Sequence, residues 1–303
     1  MIDFQKLDLT KKAEYDRFLL TNPDKGCEYS FANLYMWGRQ EACLWKNSLL
    51  LFSQFHRRSA YPFPLMGDDP KEVLDAILAD AMERGVHCRF TSMSKADCDL
   101  LEQLYPGKFR FYDDRDGYDY VYNIDDLADL KGRSFQKKRN HLNRFLQAHP
   151  DYRVEPMTKE NLPIAMDLVS RWREGDACCN PDSEFYLECK ALRRAFAHFD
   201  ELEMEGLILL EGEEALAMTM GSRLSPDTYD IHFEKALDMP ESAYPAINME
   251  FARYLRDKHP DVRFLNREDD LGVPGLRKAK LSYNPVRLIE KYWAVLREAD
   301  DED

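Results

Sequence analysis

The chain has 303 residues, 44% of them hydrophobic and 12% aromatic, so it is long enough for two domains with packed cores. Its formal net charge of −14 argues against a general DNA- or RNA-coating protein, because phosphate binding depends on clustered Lys and Arg. Seven cysteines, including the pair Cys178-Cys179 but no C-x-x-C motif, predict neither a zinc site nor a disulfide framework. Reduced thiols, no signal-peptide core and no apolar run of membrane-span length predict a cytoplasmic protein without a transmembrane segment.

The first half of the chain alternates between helical and extended patterns. Apolar residues at helical spacing predict helices at 11–20, 31–38, 69–84 and 95–104. Alternating or short apolar runs predict strands at 42–45, 49–52, 86–90, 109–112 and 118–122. The turn residues between the first two strands indicate a hairpin, and Gly85 is expected to end the third helix.

An amphipathic basic helix follows at 131–146, in an otherwise acidic chain. Its apolar stripe consists of Phe135, Leu142, Phe145 and Leu146. Its polar face carries Arg133, Lys137, Asn140 and Arg144 at positions i, i+4, i+7 and i+11. One interpretation is a linker helix whose cations pair with nearby acids. The other is a docking face for the phosphates of a tRNA, a nucleotide or a lipid headgroup.

The second half repeats the first in outline. It predicts helices at 158–172, 180–199 and 244–258, a hairpin at 207–220, and strands at 229–234, 262–265 and 286–296. The helix and strand at 71–90 match those at 245–264 after a shift of about 174 residues. We therefore predict an N-terminal domain at 1–125, a basic linker helix at 126–151 and a C-terminal domain at 152–303. The order of hairpin, helix, strand, helix and strand is that of an N-acetyltransferase-like (GNAT) unit.

Polar residues follow two of the predicted strands in the second half. Glu234 lies at the end of one strand, and Glu268 and Asp269 follow the end of another, where α/β folds place functional sites. If the strands are neighbours, these carboxylates share a pocket with Lys280 as counter-charge. Asn248, Asn266 and Tyr283 are expected to line the same cleft. The alternative is a buried polar network that only stabilises the domain.

Several motifs also resemble a known family. They are Lys137-Lys-Arg-Asn140 with Arg144-Phe145, Phe233-Glu-Lys235, Ile247-Asn-Met-Glu-Phe251, Leu265-Asn-Arg-Glu-Asp-Asp-Leu-Gly272 and Leu276-Arg-Lys-Ala-Lys-Leu-Ser-Tyr283. Together they resemble the C-terminal domain of bacterial phosphatidylglycerol lysyltransferases over nearly the whole chain. The resemblance implies an α/β (α+β) fold of tandem GNAT-like domains, with mixed sheets flanked by helices, related to Fem-type peptidyltransferases. In the membrane members, aminoacyl groups pass from aminoacyl-tRNA to a lipid headgroup.

The expected activity is transfer of an aminoacyl or acyl group to an amine or hydroxyl acceptor, such as a small amine, a peptide or a headgroup. Aminoacyl-tRNA, bound through the basic helix, and acyl-CoA are the possible donors, and DNA is not an expected partner. The stretch 238–243 lacks the glycines of a coenzyme A pyrophosphate loop, which places acyl-CoA second. A protein that only binds a small ligand is the remaining alternative.

The sequence therefore gives a set of candidate site residues. The predicted catalytic residues are Glu234, Glu268, Asp269 and Lys280. The predicted substrate-binding residues are Lys137, Lys138, Arg139, Asn140, Arg144, His232, Asn248, Asn266, Arg267 and Tyr283. No metal site is predicted, because none of the seven histidines stands at a metal-ligand spacing. No cofactor is predicted beyond the donor substrate.

Overall fold

The computed structural model describes residues 1–21, 25–55, 58–173 and 184–297. The pair Cys178-Cys179 and the predicted helix start at Asn180-Pro181 lie outside the described residues. Two compact units divide the chain. The first contains Met1–Asp119, Asp269–Gly272 and Ile289–Asp303, and the second contains Tyr120–Glu268 and Val273–Leu288. None of the helices in the described part of the chain has the length and apolar run that a bilayer crossing requires.

The first unit is built on a mixed sheet. In chain order its elements are β1 (Gln5–Lys6), α1 (Lys12–Leu19), α2 (Phe31–Trp37), β2 (Gln40–Trp45), β3 (Ser48–Phe55), β4 (Arg58–Pro62), α3 (Pro70–Arg84), β5 (Arg89–Met93), α4 (Lys95–Leu104) and β6 (Phe109–Asp113). The last strand of the chain, β14 (Tyr292–Leu296), completes this sheet, whose described strands run in the order β1-β2-β3-β4-β5-β14-β6. Aromatic side chains such as Tyr61, Phe63 and Phe90 fill the core between this sheet and α3.

The second unit has the same kind of sheet. Its elements are β7 (Asp119–Asn123), α5 (Ile124–Asp129), α6 (Gln136–Ala148), β8 (Arg153–Pro156), α7 (Leu162–Arg173), α8 (Glu184–Ala197), β9 (Glu205–Glu211), β10 (Glu214–Ser225), β11 (Thr228–Ala236), α9 (Tyr244–Lys258), β12 (Phe264–Asn266), α10 (Pro274–Leu281) and β13 (Arg287–Ile289). The described strands run in the order β13-β7-β12-β11-β10-β9-β8.

Local signals set the ends of several helices as the sequence predicts. Asp69 caps the start of α3 by accepting from the Glu72 amide, and Gly85 ends the helix at a φ of 65°. A capping box between Ser94 and Asp97 begins α4. In these helices the chemistry of the end residues was sufficient to predict the bounds.

The two units share one order of elements, which confirms the predicted tandem GNAT-like α/β fold. The helices α3 and α9 each have 15 residues and begin at positions 70 and 244, which are 174 residues apart. Each helix connects two neighbouring parallel strands, β4 to β5 in the first unit and β11 to β12 in the second. The pairs β1–β2, β2–β3, β3–β4, β5–β14 and β6–β14 of the first sheet and β7–β12, β8–β9, β9–β10 and β10–β11 of the second are antiparallel.

The bounds of the units differ from the predicted domains because two strands pair outside their own half of the sequence. β7 is antiparallel to β12 in the second sheet, and β14 lies between β5 and β6 in the first. The single strand predicted at 286–296 is therefore wrong, since β13 and β14 belong to different sheets. Local patterning cannot show which sheet a strand joins.

The basic helix is also not a linker. α6 packs on α9 within the second unit, and its residues Phe135, Leu142 and Phe145 belong to that unit's core. The predicted apolar stripe is confirmed, but it faces the core of the second unit rather than a gap between domains. The predicted polar face is also confirmed, because Arg133, Lys137, Asn140 and Arg144 are all exposed.

Candidate active site

Glu234 forms the centre of a polar cluster in the second unit. Its carboxylate accepts from Arg267 Nη2 at 2.8 Å and from Asn248 Nδ2 at 3.2 Å. The side chains of Arg267 and Glu234 are only 14% and 10% exposed, so the ion pair is largely removed from water. β11, α9 and the end of β12 each supply one of these residues. The structure thus brings together three residues predicted for the site.

The hydrogen-bonding capacity of this cluster is not fully used by the described residues. Asn248 Oδ1 and Arg267 Nη1 have no hydrogen-bond partner among the described residues. Buried polar atoms in folded proteins are almost always paired with protein or water. One open atom is an acceptor and the other is a donor, so the cluster offers complementary positions to a ligand that carries both kinds of group.

Aromatic rings and a lysine complete the cluster. The Arg267 guanidinium lies 5.7 Å from the ring centre of Tyr122 and 5.0 Å from that of Tyr283. Lys138 of α6 lies over Tyr283, with Nζ 3.6 Å from the ring centre. Burial lowers the pKa of Lys138 to about 8, helped by Arg267 and opposed by Glu234. Burial also raises the pKa of Tyr283 to about 12.

A bulge in β11 determines which residues join the cluster. The register pairs Phe233 with Met220 and Ile231 with Gly221, which skips His232. The extra residue resets the alternation, so Tyr229 and Glu234, five residues apart, both reach α9. A Cβ at Gly221 would overlap the backbone oxygen of Asp230, so the close approach of the strands requires glycine there.

Glu268 and His232 form a second cluster with Asp230 and Ser222. His232 Nδ1 lies 3.2 Å from Glu268 Oε1 and 3.4 Å from Asp230 Oδ2. Its Nε2 lies 2.8 Å from Ser222 Oγ. The sequence predicts that Glu234 and Glu268 share a pocket, and in the structure Glu234 contacts Arg267 and Asn248 whereas Glu268 contacts His232.

Lys280 and Asn266 support the turn after β12. Lys280 Nζ donates to the backbone oxygen of Arg267, and Tyr122 Oη donates to the backbone oxygen of Lys280 at 2.9 Å. Asn266 is fully buried, and its Oδ1 accepts from the Glu268 amide at 2.7 Å. These contacts fix the backbone on both sides of Arg267.

Asp269 belongs to the first unit rather than to the predicted cleft in the second. There a buried cluster surrounds Lys291, whose Nζ lies 2.6 Å from Asp119 Oδ1 and 2.7 Å from Glu28 Oε1. Burial opposes the charge of Lys291, but Asp119, Cys27, Glu28 and Asp269 together hold its pKa well above its usual value. The turn that separates Glu268 from Asp269 cannot be read from strand-end position alone.

The remaining predicted residues lie on α6. Arg139 donates to the backbone oxygens of Leu130 and Gly132, so it closes the loop before the helix. Asn140 accepts from Gln136, and Arg144 contacts His141 at 2.8 Å. Lys137 is exposed. Lys138 is the residue of this helix that reaches the Glu234 cluster.

Sequence reasoning missed residues that only spatial proximity reveals. Ser222, Asp230, Tyr122 and Lys291 were not singled out, although Asp230 and His232 stand two residues apart on one strand. That spacing places two metal-ligand residue types on one face of a strand, and it was the sequence signal that could have identified them.

An open groove of about 550 Å³ lies in the first unit, lined by residues such as Phe109, Phe111 and Arg297. None of the predicted site residues lines this groove.

Comparison with solved structures defines the class. A protein of unknown function from Bacteroides thetaiotaomicron is 34% identical, with a TM-score of 0.92 over 98% of this chain and all of the other. L-PGS from Bacillus licheniformis has a TM-score of 0.70 at 16% identity, covering 97% of this chain and 94% of the other. A tandem GNAT protein from the clavulanic acid biosynthesis pathway has a TM-score of 0.52 at 8% identity, covering 99% of this chain and all of the other. The chain therefore has the GNAT-like fold of these structures.

The family follows from the sequence comparison. The family described as phosphatidylglycerol lysyltransferase, C-terminal, matches residues 21–295, so the chain belongs to this family. At the level of the family this supports an aminoacyl or acyl transferase. An uncharacterized protein of Mycoplasmoides gallisepticum is 26% identical over 176 residues, and this match covers 57% of the chain. The chain spans about half the length of that curated relative, with 54% covered.

Proposed function

We propose that this chain transfers an aminoacyl group from aminoacyl-tRNA to an amine or hydroxyl acceptor at the Glu234 cluster of the second unit. The observation that carries the proposal is the pair of open buried atoms, Arg267 Nη1 and Asn248 Oδ1, held by one carboxylate. A ligand that satisfies both needs an acceptor and a donor. An aminoacyl ester has both, because its carbonyl oxygen accepts and its α-ammonium donates.

The reaction then uses these two contacts in different ways. The acceptor amine or hydroxyl attacks the carbonyl carbon, and negative charge develops on the carbonyl oxygen beside Arg267 Nη1. Collapse of the tetrahedral intermediate breaks the ester C–O bond and releases the terminal hydroxyl of the tRNA. Asn248 Oδ1 holds the α-ammonium, and Glu234 keeps both neighbours in place.

Lys138 handles the proton in this proposal. With a pKa of about 8, roughly a tenth of its side chains are neutral at pH 7, so the amine can accept the proton lost by the attacking acceptor. The proton then passes to the leaving hydroxyl. Arg267 supports this role, because its charge helps to lower the pKa of Lys138.

The exposed face of α6 is the proposed contact for the tRNA phosphates, through Arg133, Lys137 and Arg144. Lys280 and Asn266 act as positioning residues, since they hold the backbone beside Arg267. Asp269 belongs to the first unit, and we do not include it in the proposed site of the second unit. A cytoplasmic location, where charged tRNA is available, belongs to the same proposal.

Contacts at the start of α9 favour this donor over acyl-CoA. The Tyr244 amide is within 3.4 Å of Ser242 Oγ, Pro245 has no N–H, and the Ala246 amide donates to the Ala243 oxygen at 3.1 Å. The first turn therefore presents few free amides to a pyrophosphate, in contrast to helix starts that bind anions.

The test compares two donor substrates in parallel incubations. The purified chain is incubated with labelled aminoacyl-tRNA or labelled acetyl-CoA, together with small amines or phosphatidylglycerol vesicles as acceptors. We expect loss of the aminoacyl ester faster than spontaneous hydrolysis, with label appearing in the acceptor. Consumption of acetyl-CoA alone would show the alternative N-acetyltransferase, and ligand binding without product would show a non-catalytic protein.

A further inference from the structure

The second cluster, around His232, does not take part in the proposed transfer. Asp230 and His232 project from β11 and are buried, while the side chain of Glu268, after β12, is 20% exposed. One nitrogen and two carboxylate oxygens from these residues lie within 4.8 Å of one another. We propose that Asp230, His232 and Glu268 bind one divalent metal ion of the zinc and manganese class.

The distances fit ligands on a common ion. Metal–ligand bonds of about 2.0–2.2 Å at tetrahedral or octahedral angles place neighbouring ligand atoms roughly 2.9–3.5 Å apart. The two carboxylate oxygens lie 3.2 Å and 3.4 Å from His232 Nδ1, within that range.

A proton bridges the same atoms less well. His232 Nδ1 can donate one hydrogen, so it can serve only one of the two carboxylates at a time. Both distances also exceed the 2.7–2.9 Å that is usual for charge-assisted N–H···O bonds. A divalent cation contacts all three atoms at once and offsets the charge of both carboxylates.

Ser222 supports this orientation of the imidazole. Its Oγ lies 2.8 Å from His232 Nε2 and can accept that N–H, which leaves the Nδ1 lone pair for a metal ion. Metal-ligating histidines usually have such a partner on the other ring nitrogen. The partly exposed Glu268 marks the side from which an ion would enter.

The ligand set indicates the class of metal. One imidazole with two carboxylates suits zinc or manganese, whereas magnesium and calcium prefer oxygen ligands alone. Three protein ligands also leave a position for water, as in open zinc sites. Among the residues that the structure describes, a second possible ligand group consists of Cys27, Glu28 and Asp119 in the first unit, and the Lys291 ammonium lies among its carboxylates.

The test measures metal binding directly and does not depend on the transferase proposal. The full chain is stripped with chelator and titrated with Zn²⁺ or Mn²⁺ by calorimetry, and Co²⁺ is added to follow its visible absorption. We expect one equivalent to bind, raise the melting temperature and give a Co²⁺ spectrum. Glu268→Gln and Asp230→Asn should each lower the affinity on the order of 10²-fold, and Ser222→Ala by roughly 10-fold.

The matched control is His149→Ala. His149 Nδ1 lies 2.8 Å from one carboxylate, that of Glu211, so this variant removes a histidine–carboxylate pair without two converging acids. It should bind metal like the parent chain. The absence of saturable Zn²⁺ and Mn²⁺ binding would overturn the proposal. So would equal affinity in a folded Glu268→Gln variant, or loss of binding on Asp119→Asn instead.

Discussion

Glu234 and Arg267 form a buried ion pair in which one guanidinium nitrogen, Nη2, donates to the carboxylate at 2.8 Å. The other nitrogen, Nη1, is buried without a hydrogen-bond partner among the described residues. The Arg267 guanidinium is therefore hydrogen-bonded through Nη2, whereas Nη1 has no hydrogen-bond partner among the described residues. This relationship between Glu234 and Arg267 is the basis of a first prediction.

Replacing Glu234 by Gln should affect both stability and turnover, and a double variant separates the two effects. Removing one partner of a buried pair costs about 3–5 kcal/mol, because Arg267 keeps an uncompensated charge. Glu234→Gln combined with Arg267→Met removes both charges and should recover much of that stability, yet turnover should stay lower by roughly 10²-fold. Thermal melting and single-turnover rates on the same preparations measure both.

The control for that prediction is Asp261→Asn, which breaks the exposed pair with Arg223 and should change neither quantity by much. If the double variant regains stability and also retains full turnover, the pair has only a structural role.

Lys138 should give the reaction a characteristic pH dependence. If its neutral amine accepts a proton, the rate should rise with pH and level off above its pKa of about 8. Lys138→Arg keeps the positive charge at every accessible pH, so the rising limb should disappear and the rate should fall. Lys137→Arg, a change at the exposed neighbouring position, should retain the increase of the rate with pH.

Lys138 should also influence the pH dependence of stability. Its folded pKa of about 8 lies below its usual value of 10.5, so the native state binds fewer protons than the unfolded chain between these values. This contribution to the free energy of unfolding therefore rises as pH increases from about 8 to 10.5. In Lys138→Met this rise should be smaller when chemical denaturation is followed across that range.

The exposed face of α6 should control the salt dependence of tRNA binding. Lys137→Glu with Arg144→Glu removes two cations, so binding should weaken and the slope of log affinity against log salt should become shallower by about 2. Filter binding from low to moderate salt measures the slope. Lys6→Glu with Lys108→Glu makes the same change of net charge at exposed positions of the first unit and should leave the slope unchanged.

Equal effects of the two charge-reversed pairs would mean that net charge, rather than this helix face, governs the association.

Lys291 should be required for the stability of the first unit. Lys291→Met leaves the fully buried Asp119 and its neighbour Glu28 without their cation, which should cost about 3–5 kcal/mol. Burial already raises the pKa of Glu28, with Lys291 acting against it. Without Lys291 the Glu28 carboxyl should bind a proton more readily in the folded state than in the unfolded chain. The stability that Lys291→Met loses relative to the parent chain should therefore become smaller as pH falls from neutral to about 5.

Denaturant unfolding at several pH values measures this deficit. Lys95→Met, which removes an exposed partner of Asp99, should leave stability almost unchanged. A pH-independent deficit in Lys291→Met would show that lost packing rather than lost charge is responsible.

The sequence by itself determined the repeated local structure. Asp69, Gly85, Ser94 and Asp97 set helix ends through contacts within a few residues, and the 174-residue shift between α3 and α9 predicted the tandem fold. The sequence also placed Glu234, Asn248, Arg267, Lys138 and Tyr283 among the candidate site residues. Strand ends and helix periodicity were enough for this, because both depend on short-range geometry.

Only the tertiary structure decided how these residues group. The bulge at His232 lets Glu234 contact α9, and it lies where Gly221 and Asp230 approach closely across two strands. The turn after Glu268 assigns Asp269 to the first unit, and pairing of β14 between β5 and β6 brings Lys291 to Asp119. Each of these outcomes depends on strand pairing between distant segments, which local sequence patterns do not encode.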